Sequence, residues 1–479
     1  MKRIKTIRFI GVQLLILVVF PFINACEKWL NVLPENETEA TQLFSSERGF
    51  QEALTGVYTL MSEAELYGRE LTYGFADVIA QQYGSLHESS PYFFTQYFDF
   101  KSTNSLQLSD AIWRKQYNAI ANVNDILAFI DQNNKLFASD MSHDLIKGES
   151  LALRAFLHFD LLRLYAPHQL ENNEQKAWIP YVDQFSKNTS ASLTTEEFMK
   201  RVIDDLNMAS DLLKEDPILT GKPTTDIYFK NRHYHLNYYA VKGLMARAYL
   251  YWGDNKKADA YRCAKEVIDA QNNKGLFPFV SMLDATNTDR TKRDRTFSTE
   301  HLFSLNIRAL QSFTTGYVSA VQNGLALLPR ETLMDIYEGY PDYRQEYFET
   351  DGTVQFVPSK FWQVDPTKKF SYRMPMLRIS EMYYIAAEST TNISEATIYL
   401  NTLRAARNIP VLLSGLDESR LEEELYKEYK KEFFGEGQLF FYYKRHNAVN
   451  AGGWTMPFSY IIPMPEDEIN FGGRPRPKN

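Results

Sequence analysis

The chain has 479 residues, of which 44% are hydrophobic, and a net charge of −8. That length is enough for one large or two ordinary domains with a sizeable core. Residues 1–25 carry four basic residues and no acidic one, so the remainder is more negative still. Because a phosphate backbone is bound by basic faces, the composition excludes a typical nucleic-acid partner.

The start of the chain has the pattern of an export signal. A basic segment is followed by an apolar run over 9–22, which is too short to span a bilayer comfortably. Residues 23–26 resemble the lipobox of bacterial lipoproteins, which implies that Cys26 becomes the lipidated first residue and that 26–45 form a tether. An ordinary signal peptide with an incidental cysteine is the alternative. Cys263 falls in a helical pattern, and we expect it to be a small buried residue.

Residues 147–166 form the pattern around which the chain is organised. They contain no proline and only Gly148, and their apolar residues form two stripes at helical spacing. A helix with two apolar faces must be covered on two sides, so we expect it in the middle of a helical stack. We interpret Glu149, Arg154 and Arg163 as a paired structural network rather than as catalytic charges.

Further helices are predicted on either side of this one. In the first part of the chain they begin after the N-cap Ser46, cover 71–80, begin again at Asp110, and start at Thr195. Residues 237–270 match the length of a tetratricopeptide repeat, about 34 residues. A second pair covers 380–388 and 393–410, and the 147–166 and 196–215 helices make a third. Each pair must bury its inner face on a neighbour, so the pairs should stack.

The end of the chain is predicted as a helix over 421–446 and a tail rich in proline and glycine. We expect that tail to run extended over the body.

The helical pattern fails between residues 81 and 107, where aromatic residues are dense. Long loops are generally functional or disordered, and exposed rings stack on sugar rings or planar ligands. The candidate ligand-binding residues are Tyr83, Tyr92, Phe93, Phe94, Tyr97 and Phe98, together with Tyr317 and Trp362 from the irregular segment 272–371. The alternative is that these rings fold back as a private core beneath the loop.

No catalytic motif stands out in the sequence. It contains no metalloprotease, P-loop, nucleophile-elbow or dinucleotide-binding pattern. His233 and His235 could ligate a metal, but without an obvious third ligand we expect them to be solvated. We therefore expect no catalytic residue, no metal and no cofactor.

Five segments, in order, resemble the SusD/RagB family of outer-membrane lipoproteins. The first lies in the 147–166 helix, where the matching residues are Gly148, Glu149, Leu151, Leu153, Arg154, Ala155, Phe159, Leu161, Arg163 and Tyr165. The second comprises Arg378, Glu381, Met382, Tyr383, Ile385, Ala386, Ala387 and Glu388, and the third Leu400, Asn401, Arg404 and Pro410. The last matches Ile462, Pro463, Met464, Pro465, Glu468, Ile469 and Asn470.

The fourth segment resembles the family pattern only in part. Glu432, Glu436, Gly437, Gln438 and Arg445 fit it, whereas Gly435, Leu439, Phe440 and Tyr442 depart from it.

The resemblance implies an all-α fold in which tetratricopeptide-like helix pairs form a curved scaffold, packed against an irregular helical and loop-rich subdomain. It implies a body over 46–479, with an N-terminal part over about 46–220 and a C-terminal part over about 237–479. It also implies a lipid-anchored protein on the outer membrane that faces the cell exterior. Such a protein binds a nutrient, usually an oligosaccharide or polysaccharide, for a SusC-like TonB-dependent transporter. A protein-binding repeat scaffold and a surface glycosidase are the alternatives.

Overall fold

The computed structural model describes residues 35–168, 176–184, 189–220, 226–318, 327–350, 356–362, 367–368, 370–412, 415–451, 454–456 and 460–476. The predicted export signal, the lipidated Cys26 and the start of the tether lie outside these residues. The described chain is mostly helical, and the predicted all-α fold class is confirmed. No described helix is both long and apolar enough to cross a membrane.

The helices of the first half are α1 (Glu35–Leu43), α2 (Glu47–Met61), α3 (Phe75–Ile79), α4 (Phe93–Gln96), α5 (Thr103–Ile130), α6 (Asp140–Tyr165), α7 (Thr195–Leu212) and α8 (Pro217–Thr220). Those of the second half are α9 (Tyr238–Trp252), α10 (Lys257–Lys274), α11 (Met282–Ala285), α12 (Leu310–Thr314), α13 (Leu333–Tyr337), α14 (Ile379–Ser389), α15 (Ile393–Ala406), α16 (Glu418–Glu432), α17 (Leu439–Arg445) and α18 (Glu466–Asn470). Single turns of 3₁₀ or π helix at Ala64–Gly68, Asp131–Leu136, Leu213–Glu215, Arg232–Tyr234, Asp254–Lys256, Arg290–Lys292, Ser298–Glu300 and Tyr343–Tyr347 join several of them.

The strands form short antiparallel pairs. They are β1 (Ile179–Pro180) with β2 (Ser192–Leu193), β3 (His301–Asn306) with β6 (Arg373–Arg378), β4 (Phe348–Thr350) with β5 (Phe356–Pro358), and β7 (Asn450–Ala451) with β8 (Trp454–Thr455). In the longest pair, His301 faces Arg378 and Leu305 faces Met374.

Helix α6 lies at the centre of the core, as the sequence predicted. Its residues from Gly148 to Tyr165 are buried apart from Arg154, which is only partly exposed. It begins at Asp140, earlier than predicted, because Ser139 caps it by accepting from the amide of Ser142. Its own Gly148 lets the end of α7 and the turn after it approach closely: an added Cβ would lie 2.9 Å from Leu213 and 3.3 Å from the Ala209 carbonyl oxygen.

The predicted helix pairs are confirmed, and they stack on one another. Arg247 of α9 pairs with Glu381 of α14, with Nε 2.6 Å from Oε1. Tyr383 of α14 donates a hydrogen bond to Gln271 of α10 at 2.8 Å. Cys263, on α10, is buried as expected. Each pair thus covers the inner face of the next.

Several predicted helix starts are displaced. The helix predicted from Asp110 begins at Thr103, because Ser102 caps it. The helix predicted to start at Thr195 does begin there, and Thr194 caps it in a capping box with Glu197. The helix predicted over 71–80 is reduced to Phe75–Ile79. Ser46 caps α2 as predicted.

The single helix predicted over 421–446 is wrong: it is two helices, α16 and α17. The chain between them passes through Gly435 and Gly437, whose φ angles are +82° and +68°. These left-handed conformations end α16, and both amides donate to the buried carboxylate of Asp77, at 2.6 and 3.0 Å. This turn fastens the C-terminal helices to α3. The tail beyond them runs without regular structure over 460–465 against α6, where the Ile462 amide bonds the Leu164 carbonyl at 3.0 Å.

Candidate ligand-binding surface

The aromatic loop between α3 and α5 is held by side chains that bond its own backbone. Gln96 is fully buried; its Oε1 accepts from the Leu86 amide at 3.0 Å and its Nε2 donates to the Gly84 carbonyl at 2.7 Å. The Gln81 side chain donates to the Gln96 carbonyl at 2.8 Å. Gln81 and Phe98 have positive φ angles of 60° and 58°. The segment is therefore fixed in one unusual conformation before any ligand arrives.

Two of the candidate rings cannot face a ligand. Tyr83 and Tyr92 are both 0% exposed. The Tyr83 hydroxyl donates to the Tyr73 carbonyl at 2.7 Å, and the Tyr92 hydroxyl donates to Glu70 at 3.0 Å. The prediction is wrong for these two residues, because each hydroxyl has a buried partner and its ring packs beneath the loop. For them, the alternative of a private core is correct.

Three other rings form a cluster at the surface, which we call the ring surface: Phe93, Phe94 and Tyr97. Their exposed fractions are 41% for Phe94 and 44% for Tyr97, whereas Phe93 is partly buried between them. The Phe93 centroid lies 5.3 Å from that of Phe94 and 5.4 Å from that of Tyr97, both edge-to-face. Phe93 thus supports two rings that are partly exposed to solvent.

The candidates from the distant segments come to the same part of the molecule. Tyr317 lies edge-to-face against Tyr92, with centroids 6.0 Å apart, and Tyr92 directly precedes Phe93. The Trp362 indole donates to the carbonyl of Val318, the residue after Tyr317, at 3.0 Å. Both rings are partly buried. Phe98 is also partly buried and packs towards Phe100 at 6.5 Å. Phe98, Tyr317 and Trp362 are thus less exposed than Phe94 and Tyr97, and we do not count them as part of the ring surface.

Sequence reasoning missed three charged residues beside these rings. The Arg69 guanidinium lies over Tyr317, 5.2 Å from its centroid, and bonds Glu70 at 2.7 Å. Burial raises the pKa of Glu70, against the lowering effect of Arg69. Arg330 donates to the Gln81 carbonyl at 2.9 Å and lies close enough to Tyr97 for a Coulombic interaction. No local pattern marks these residues, because Arg330 is remote in sequence and the predicted 71–80 helix separates Arg69 and Glu70 from the loop.

The charges on α6 are structural, as predicted, but they form separate pairs rather than one network. Arg154 makes a two-pronged pair with Asp205, at 2.7 and 2.8 Å. Arg163 pairs with Asp160, and Glu149 accepts from Arg232 and from other donors on neighbouring segments. Arg232 and Glu149 are buried and matched in charge, so their geometry offers no free acid or base.

The expectation that His233 and His235 are solvated is wrong. His235 Nδ1 lies 2.8 Å from Glu149 Oε2, and burial lowers the pKa of His233 to about 3. Within the described ranges, no group of three or more His, Cys, Asp or Glu side chains is arranged to hold a metal.

Comparison with known protein families identifies the family of this chain. A family described as starch-binding associating with outer membrane matches residues 28–250, and the SusD family matches residues 232–470. The chain belongs to the SusD/RagB family. None of the curated proteins matches it.

Solved structures of SusD proteins share the fold. A SusD superfamily protein from Bacteroides thetaiotaomicron is 21% identical, with a TM-score of 0.70 over 90% of this chain and 100% of that one. A putative sugar-binding protein from Bacteroides vulgatus is 20% identical, with a TM-score of 0.68 over 89% and 96%. A SusD-like carbohydrate-binding protein from the same species is 20% identical, with a TM-score of 0.64 over 84% of each chain. At these identities the likeness establishes the fold.

Proposed function

We propose that this SusD/RagB protein binds a glycan nutrient at the cell surface and performs no catalysis. The observation that carries the proposal is the ring surface, where Phe94 and Tyr97 are about two-fifths exposed on a backbone fixed by Gln96. Exposed rings on a preorganised loop suit the C–H faces of sugars, and little ordering cost is left for binding. The names of the two B. vulgatus relatives, which describe sugar or carbohydrate binding, support the same class of ligand.

We further propose that the protein is anchored to the outer membrane, outside the cell, through a lipid on Cys26. Two lines of support are the lipobox-like residues before Cys26 and the description of the family that matches residues 28–250. The partner in this proposal is a SusC-like TonB-dependent transporter, which receives the bound glycan. The division of the body at about residues 220–237 stays a prediction.

Retention in native gels that contain a panel of polysaccharides tests the binding proposal. The full chain is solubilised in a detergent without a sugar headgroup, since glycosidic detergents would compete. At least one polysaccharide should retard the chain, and Phe94→Ala and Tyr97→Ala should each weaken that retardation several-fold, in line with roughly 1 kcal/mol per ring. Phe471→Ala is the matched control, because Phe471 is also a highly exposed ring and is outside the ring surface.

Three results would contradict parts of the proposal. Co-purification of a barrel transporter with no retention by any polysaccharide would favour a protein-binding scaffold. Release of oligosaccharides from the gel polysaccharide would make the protein a glycosidase. Equal retention of the wild type and both ring variants would place the ligand elsewhere.

A further inference from the structure

A cleft lies between the turn Arg232–Tyr234, the turn Ser298–Glu300 and the start of β6. This cleft has a volume of about 320 Å³ and shares no lining residue with the ring surface. Its polar lining consists of Arg232, His233, Ser298, Thr299, His301 and Arg373. Two imidazoles and two guanidinium groups therefore meet in one small space.

His301 lines the cleft and has a buried ring nitrogen without a partner in the described part of the chain. His301 is only 2% exposed, and its Nε2 lies 2.9 Å from the Thr296 carbonyl oxygen. Because a carbonyl can only accept, Nε2 carries the proton and Nδ1 is an acceptor. That Nδ1 has no hydrogen-bond partner among the described residues. Burial holds the pKa of His301 well below its usual range, and the nearby Arg373 and Arg378 lower it further. The imidazole is therefore neutral and needs a donor.

His233 adds a second unmet polar atom. Its Nε2 is buried and has no partner among the described residues. Burial lowers the pKa of His233 to about 3, with Arg373 lowering it further, so this ring is neutral at physiological pH as well. A buried polar atom without a partner costs about 1–3 kcal/mol, which a suitable ligand would recover.

Arg373 provides a cation that makes no direct ion pair within the described residues. Its Nε donates to the Tyr234 hydroxyl at 3.0 Å and its Nη1 to the Ser298 carbonyl at 3.4 Å. No carboxylate within the described residues lies within salt-bridge distance of it, and the buried Asp294 interacts with its charge only from farther away. Arg232, also in the lining, pairs directly with Asp216 and Glu149. Arg373 is thus the guanidinium of the cleft that lacks a direct ion pair within the described ranges.

The backbone around the cleft is held in strained conformations. Ten non-glycine residues of the described chain have positive φ, and four of these line the cleft or adjoin its lining: Asn231, Phe277, Phe297 and Tyr372. Each such residue costs on the order of 1 kcal/mol, and strain of this kind concentrates where a fold fixes functional groups.

We propose that this cleft binds a hexuronate, a sugar that carries a carboxylate, with Arg373 on the carboxylate and the Nδ1 of His301 accepting a bond from a ring hydroxyl. The carboxylate gives Arg373 a direct ion pair, and the hydroxyl supplies the donor that the Nδ1 of His301 lacks. A metal ion fits less well, since only two imidazoles are available and Arg373 would repel it. The site is separate from the ring surface and does not depend on it.

Calorimetric titration of the full chain with sodium glucuronate and sodium galacturonate tests this assignment. At least one of them should bind more tightly than glucose, which lacks the carboxylate, and than acetate, which lacks the hydroxyls. Arg373→Gln should weaken that binding about tenfold or more, and Arg373→Lys should weaken it less because the charge is kept. The matched control is Arg308→Gln, which removes an exposed arginine that stacks on the neighbouring Tyr372.

The thermal midpoint of each variant shows whether it is folded, and Arg373→Lys keeps the test usable if Arg373→Gln unfolds. Failure of both uronates to bind, or equal binding of glucose, would overturn the proposal. So would equal losses in Arg373→Gln and Arg308→Gln. If Phe94→Ala weakens uronate binding and Arg373→Gln does not, the uronate binds at the ring surface. If no polysaccharide retards the chain in native gels but a uronate still binds, only the proposed function is contradicted.

Discussion

Glu432 and its partners lie entirely within the protein, whereas Phe94 and Tyr97 expose 41% and 44% of their surface. Glu432 accepts from Arg344 at 3.0 Å and from Arg407 at 2.6 Å, and it also pairs with Arg378. We call these four residues the ion cluster. The ring surface, in contrast, consists of three rings, two of which are largely exposed to solvent.

The comparison shows that the residues that identify the family differ from those proposed to bind the ligand. Arg378 and Glu432 belong to the segments that resemble the SusD/RagB pattern, and both have all their charge matched inside the core. The ring surface matches no part of that pattern. Buried pairs of this kind fix which helices meet, and the loops between those helices are free to differ in sequence.

The largest expected effect comes from Glu432→Gln. Neutralising this side chain leaves Arg344, Arg378 and Arg407 with too little buried negative charge. We expect the free energy of unfolding to fall by about 3–5 kcal/mol, measured by chemical denaturation. Glu466→Gln, which removes an exposed pair with Arg476, should cost less than about 1 kcal/mol. A similar small cost for both would mean that the ion cluster does not hold the fold.

Gly437→Ala should destabilise the next most. A Cβ at this position would lie 2.2 Å from the Leu71 carbonyl oxygen, and φ is +68°. Gly275→Ala is the matched control, because its φ is +67° but no atom lies within 4 Å of the added Cβ. We expect the control to lose about 1–2 kcal/mol and Gly437→Ala distinctly more in denaturant unfolding. If both variants lose the same free energy of unfolding, the turn between α16 and α17 can shift to accommodate the added Cβ.

Protonation of His158 should make stability depend on pH. Burial lowers its pKa to about 3, and Nε2 accepts from the Val182 amide at 2.9 Å, a bond that protonation would break. Between about pH 6.5 and pH 3 the unfolded chain binds this proton and the folded chain does not. Stability should therefore fall as the pH falls, with this residue contributing up to about 1.4 kcal/mol per pH unit.

Chemical denaturation at pH 7, 6, 5 and 4 measures that slope. His158→Gln should be less stable at pH 7 but should show a shallower pH dependence than the wild type. An unchanged slope would mean that other groups, such as the buried His168, carry the effect.

The smallest expected effect on stability is that of the ring surface. Phe94→Ala and Tyr97→Ala remove rings that are already in contact with solvent, so each should lower the free energy of unfolding by less than about 1 kcal/mol. A loss as large as that of Glu432→Gln would remove the distinction between the two regions.

Much of the helical framework could be predicted from the sequence. The two apolar stripes of α6 and the repeat-like spacing of α9 and α10 are local patterns, and local patterns determine helices. The predictions were wrong where residues far apart in the chain determine the structure. The break at Gly435 and Gly437, for example, depends on hydrogen bonds to Asp77. Apolar periodicity carries no information on such a contact.

The sequence predicted the segment that contains the candidate site but not which of its rings are exposed. Aromatic density identified residues 81–107, but it could not separate Tyr83 and Tyr92, which are buried, from Phe94 and Tyr97. A tyrosine suits either environment, because its hydroxyl can bond a buried carbonyl or water. The cleft at His301 and Arg373 was not predicted: the sequence drew attention to His233 alone of its polar lining, and the other walls come from segments that are far apart.

Hydrogen–deuterium exchange of the full chain, with and without its best-retained polysaccharide, shows directly whether the glycan lies on the ring surface. We expect slower exchange in peptides that cover residues 86–102 and 313–318, and no change in α16 or α6. Protection confined to α16, α17 or α6, with none in the aromatic loop, would contradict this expectation.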